Sequence, residues 1–110
     1  MKTIKEWCEY IKDWRIKKKF DTGWNNVPEK LMLIVTELAE AMEAYRKMTI
    51  NPCPVFYKVD EYSDNFKEEL ADTTIRIMDL CGSLGIDLEE EIAKKMEYNE
   101  TRPEKHGKKL

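Results

Sequence analysis

The chain has 110 residues and a formal net charge of −3, a length that suits one domain and leaves little room for a second core. Its 42% hydrophobic and 37% charged residues fit a folded chain better than a disordered one. The mildly acidic balance argues against broad nucleic-acid binding, which needs a basic face to displace counterions. No run approaches the roughly 20 apolar residues of a membrane span, and Lys2, Lys5 and Glu6 precede no apolar signal-peptide core. The expectation is a single cytoplasmic domain over residues 1–110 that binds neither nucleic acid nor membrane. Cys8, Cys53 and Cys81 are odd in number and too widely spaced for a metal-binding CxxC pair, so they read as plain buried or half-buried thiols.

In chain order, Thr3-Ile4-Lys5-Glu6 fits a capping box, and Ile4, Trp7, Cys8, Ile11 and Trp14 follow at helical spacing. The first helix runs to about Lys19, and Arg15, Lys17, Lys18 and Lys19 are cations where the helix dipole favours them. Phe20 to Pro28 holds Gly23, Asn25, Asn26 and Pro28 and reads as a loop. From Pro28 to about Met48 the chain has no further Gly or Pro. There Leu31, Ile34, Val35, Leu38, Met42 and Tyr45 recur at the three-four spacing of a buried face. Pro52 and Pro54 break any helix between Thr49 and Tyr62. A third helix starts near Ser63 to Asn65, turns Phe66, Leu70, Ile77, Cys81 and Leu84 inward, and ends at Gly82 or Gly85. Asp87 caps a fourth, with Glu90 three residues on, Leu88, Ile92 and Met96 on one side, and a stop before Pro103. Residues 103–110 are a polar, loose tail. The fold class is all-α, a bundle of about four helices. The second helix is apolar over more than one face, so completion of the bundle by oligomerisation, as a homodimer or higher homo-oligomer, is expected.

Two acidic pairs stand out. Glu37 and Glu40 are three apart on the second helix, and Glu69 and Asp72 are three apart on the third, so each pair projects from one face. Along its own helix Glu37 meets Leu33, Ile34, Glu40 and Ala41, and Glu40 meets Thr36, Glu37, Glu43 and Ala44. No cation on that helix offsets them, and a bound cation is the natural explanation. Asp72, Arg76 and Asp79 also fit an ordinary surface ladder. The ligand set is all oxygen, and the one histidine, His106, lies in the tail. That chemistry selects Mg²⁺, with Mn²⁺ possible, over zinc, and the absence of Glu-x-x-His disfavours a di-iron bundle.

At these residues the chain resembles the MazG-like all-alpha NTP pyrophosphohydrolase superfamily, whose fingerprint is EExxE followed by ExxD. Here it reads Thr36-Glu37-Leu38-Ala39-Glu40 and Glu69-Leu70-Ala71-Asp72. The resemblance continues in Gly85-Ile86-Asp87-Leu88-Glu89 and in Lys95, Asn99, Arg102, Pro103, Lys105, His106 and Gly107, similar to a closing KxxxNxxRPxKHG segment. It spans about Gly23 to Gly107, with residues 49–62 the least family-like part. Thr36 departs from the pattern, standing where its fullest form has a first glutamate.

The resemblance implies an Mg²⁺-dependent hydrolase that converts a nucleoside triphosphate and water to a monophosphate and diphosphate. Glu37, Glu40, Glu69 and Asp72 would be the metal ligands, with Glu37 and Glu40 also catalytic. Lys95, Asn99 and Arg102 extend the line of Leu88 and Ile92 as a donor-rich stripe suited to phosphate oxygens. Trp24, Phe56, Tyr57, Tyr62 and Tyr98 are candidates to stack on a base, Trp24 foremost. The alternatives are a phosphoribosyl-ATP pyrophosphatase-like enzyme and a non-catalytic helical interaction protein with an acidic docking face.

Overall fold

The computed structural model describes residues 1–18, 26–48 and 64–103. It is all-α, with α1 (Ile4–Lys17), α2 (Val27–Met48), α3 (Asp64–Leu84) and α4 (Leu88–Glu100). The 49–62 segment, Trp24, Cys53 and the closing Lys105, His106 and Gly107 lie outside the described residues. None of the described helices is long and apolar enough to cross a membrane.

Local signals set the helix ends. Thr3 caps α1 by accepting from the Glu6 backbone N–H at 3.1 Å, and Glu6 Oε1 accepts from the Thr3 N–H at 2.8 Å, satisfying two otherwise orphan donors. At the end of α3 the choice between the two glycines falls on Gly85, which takes a φ of 72°. The Ile86 N–H then reaches back to the Cys81 carbonyl at 2.9 Å, the hydrogen bond of a Schellman cap. Asp87 Oδ1 accepts from the Glu90 N–H at 3.1 Å, so α4 starts where its capping residue predicts.

The α2–α3 pair forms the main seam, α1 packs on α3, and α4 packs on α1. Gly82 lies inside α3 where α1 crosses it, and a Cβ there would come within 3.2 Å of the Cys8 carbonyl oxygen. Among the described residues, the buried ones are Cys8, Ile11, Ala41, Ala44, Thr73 and Cys81. This corrects the expected core. On α2 the large side chains Leu31, Val35, Leu38 and Met42 are exposed, Leu38 at 49% and Met42 at 54%. They form a stripe about 100° around the helix from the line Ile34, Glu37, Ala41 and Ala44, and it is the second line, with its small residues, that meets α3. On α3, likewise, Thr73 is buried while Leu70 and Ile77 are exposed. Ile92 and Met96 on α4, and Trp7 and Trp14 on α1, are also exposed. Burial pushes the Cys8 and Cys81 thiols above their ordinary range.

A candidate metal centre between two helices

The small residues Ala41, Ala44 and Thr73 let α2 and α3 approach closely, and the seam carries the acidic groups with it. One carboxylate oxygen from each of Glu37, Glu40 and Glu69 falls within 4.8 Å of the others. Glu37 and Glu69 are half-buried and Glu40 is exposed. Asp72, expected as the fourth ligand, is exposed and stays outside this trio. The Thr36 hydroxyl donates to the Met32 carbonyl of its own helix at 3.0 Å.

The surroundings of Glu69 are unfavourable to its charge. Its Oε1 is buried and meets no donor. Burial first, then the Glu40 charge, a contact with Glu37 and the charges of Glu37 and Asp72 raise its carboxyl above the ordinary range. The Glu37 contact becomes a hydrogen bond only when one of the two carboxyls holds a proton. A proton or a cation therefore relieves the same strain.

Glu37 has a counter-charge that the reading along α2 alone missed. Arg76 Nε on α3 lies 2.7 Å from Glu37 Oε2. The alternative of a surface ladder through Asp72, Arg76 and Asp79 gives way to cross-helix pairs, because Asp79 Oδ1 takes Arg15 Nε of α1 at 2.8 Å. The side chains of Arg15 and Asp79 are only 17% and 13% exposed. Burial raises the Asp79 carboxyl, opposed by the charges of Arg15, Lys30 and Arg76. Arg15 lies in the last turn of α1, as read from sequence, and is in addition half-buried against α3. A signal for Arg76 was present: Glu69, Thr73 and Arg76 follow at four- and three-residue steps, so they share one face of α3.

A cleft of about 310 Å³ opens beside these groups, lined among others by Trp14, Arg15, Glu37, Asp72, Arg76 and Asp79. An apolar recess of about 290 Å³ adjoins it, sharing Ile11, Trp14 and Ile75 and walled further by Trp7 and Tyr10. Each is near the lower end of the range for small-molecule sites.

The donor stripe on α4 stands apart. Lys95 Nζ and the Arg102 guanidinium lie 4.9 and 5.6 Å from the centre of the Tyr98 ring, and Asn99 Nδ2 donates to Met96 Sδ at 4.0 Å. Asn99 Oδ1 is buried without a partner. Among the described residues no hydrogen bond or ion pair joins Lys95, Asn99 or Arg102 to the carboxylate trio. Helix α4 is anchored by its start, where Glu89 Oε1 accepts from the Lys5 backbone N–H at 3.0 Å and Asp87 Oδ2 lies 3.8 Å from Lys5 Nζ.

Fold and site together define an all-α protein with converging carboxylates at a helix seam. No protein-family model matches the chain, and no curated protein or solved structure matches it.

Proposed function

We propose that the chain is a MazG-like, Mg²⁺-dependent nucleoside triphosphate pyrophosphohydrolase, acting on a cytoplasmic (d)NTP to release the monophosphate and diphosphate. The observation that carries this reading is the convergence of Glu37, Glu40 and Glu69 on one space at the α2–α3 seam, with a buried Glu69 oxygen that no donor satisfies. The donor set fits a hard divalent ion, Mg²⁺ or Mn²⁺, held by these three side chains, with Asp72 adding negative charge one turn along. Such an ion supplies charge neutralisation at the phosphates and a more acidic water.

The chain's own residues do the remaining work. Glu40 is the exposed member of the trio and so the one placed to take a proton from an attacking water, while Glu37 and Glu69 are fixed in the seam. Lys95, Asn99 and Arg102, which stand apart from the trio within one chain, are the donors that this reading assigns to the triphosphate, and the apolar recess beside the cleft gives the base a surface.

The exposed stripe of Leu31, Val35, Leu38 and Met42 supports a homo-oligomer, most simply a homodimer, in which a second copy covers it. One observation favours the non-catalytic reading, an acidic docking face: the Arg76–Glu37 pair is also what a purely structural cross-link would make.

Incubation with a panel of canonical and modified NTPs and dNTPs plus Mg²⁺ decides between them. The expected result is monophosphate and pyrophosphate from the wild type and neither from Glu40→Gln. Mg²⁺ near 100 times its dissociation constant should add about 2.7 kcal/mol to wild-type stability and much less to the variant. A Glu40→Gln protein with full activity and a normal Mg²⁺ response would overturn the site.

A further inference from the structure

We propose that Arg76 is an internal counter-ion, displaced from Glu37 by a divalent cation and then available to the triphosphate as a phosphate-binding residue. The inference rests on the reading of the carboxylate trio as a metal centre. Arg76 Nε sits 2.7 Å from Glu37 Oε2, and Glu37 also offers an oxygen to the space shared with Glu40 and Glu69. A cation in that space and the guanidinium are like charges on one carboxylate, and they repel in a partly desolvated seam.

The two ends of the pair are not equally free. The Glu37 side chain is 13% exposed and the Arg76 side chain 41%, so the arginine is the end that can leave. It has somewhere to go. Arg76 lines the same cleft as Asp72 and Asp79, four residues before it and three after it on α3. Asp79 is taken by Arg15 at 2.8 Å, whereas Asp72 is exposed and can receive the guanidinium in the absence of substrate. A phosphate oxygen in the cleft is the stronger acceptor, since the planar guanidinium donates two parallel hydrogen bonds to phosphate. Among the described residues Arg76 is the cation paired with the trio, while the α4 donors are not joined to it. That makes Arg76 the donor already beside the metal centre.

A structural cross-link and a displaceable counter-ion predict opposite effects on metal binding. Mn²⁺ titration of the full chain, by calorimetry or by the free-ion electron spin resonance signal, is the assay. If Arg76 competes for Glu37, Arg76→Met binds Mn²⁺ roughly tenfold more tightly than wild type, and Arg76→Lys lies between the two. Unchanged or weaker Mn²⁺ binding by Arg76→Met, with the helical circular dichroism intact, overturns the proposal and leaves the metal centre standing. Absence of Mn²⁺ binding by the wild type removes both. A measurement on the unmodified protein covers the case in which Arg76→Met does not fold. The Arg76 Nε–Hε resonance, assigned with Arg76→Lys, should shift when Mg²⁺ is added and shift again with a non-hydrolysable triphosphate analogue. An Nε–Hε resonance that ignores both additions overturns it equally.

Discussion

Arg15 and Asp79 join α1 to α3 through a contact of 2.8 Å between side chains that are 17% and 13% exposed, and the pair can be weighed from its parts. At an effective dielectric constant near 20, a separation of 2.8 Å is worth about 6 kcal/mol of attraction. Against it stands the loss of hydration, several kcal/mol for each ion. The Asp79 carboxyl is raised above its ordinary range, burial being the largest cause, so for this group desolvation outweighs attraction. The intact pair is therefore worth little net, while a broken pair leaves a desolvated charge behind. Arg15→Met should cost about 3 kcal/mol, or about 12 °C of melting temperature for a domain of this size. The double variant Arg15→Met/Asp79→Leu should return to within about 1 kcal/mol of wild type.

The sign of the pH dependence follows from the same shift. The native state holds a proton on Asp79 more readily than the unfolded chain does, so stability falls as pH rises from the unfolded value through the raised native one. Removal of Arg15 pushes the carboxyl further up, so the deficit of Arg15→Met should be small below the ordinary carboxylate range and grow as pH rises through the raised native one. Thermal melts of the four proteins of the cycle across that range measure it. Additive losses in the double variant, or a deficit independent of pH, would refute the reasoning.

Two further outcomes are expected. Glu69 is raised by burial, Glu40, Glu37 and Asp72, so without divalent ions its contribution to stability falls as pH rises from the ordinary carboxylate range through the raised one, and saturating Mg²⁺ should restore stability at the higher pH; a Glu69→Gln profile that overlays the wild type contradicts this. Leu38→Lys should leave helicity unchanged, because Leu38 is half in solvent within one chain, while lowering the mass measured by light scattering at micromolar concentration. An unchanged mass shows that the second copy does not sit on that stripe.

Helix number, type and ends were legible because each rests on local chemistry: the Thr3 capping box, the Asp87 cap and the choice of stop at a glycine near residue 85. Two of the candidate carboxylates, Glu37 and Glu40, were legible as a pair without a cation on their own helix, and Glu69 as their cross-seam partner. What was not legible depends on three-dimensional approach. Periodicity finds apolar stripes on α2 but does not rank Leu31–Leu38–Met42 against Ile34–Ala41–Ala44, and the closer-packing, smaller stripe won the seam. The same approach sends Arg76 across to Glu37 and Arg15 across to Asp79, although sequence spacing favours neighbours on the same helix. Alignment of Lys95, Asn99 and Arg102 along α4 says nothing about where that helix docks, and it docks on α1.

Small residues at two contacts of α3, Ala41, Ala44 and Thr73 in the seam with α2 and Cys81 and Gly82 against α1, invert the usual map of which positions tolerate change. Where large side chains fill a core, truncation does the damage. Here there is little volume to remove, and enlargement is the harmful direction, since an added methyl at Gly82 already crowds the Cys8 carbonyl at 3.2 Å. Polar replacements at Leu31, Val35 or Met42 leave the seam untouched. A library selected only for folding should therefore forbid bulk at the small positions and accept polarity at the large ones. If a second copy covers this face of α2 as proposed, a library selected for assembly would forbid polarity at the very residues that a library selected for folding lets go.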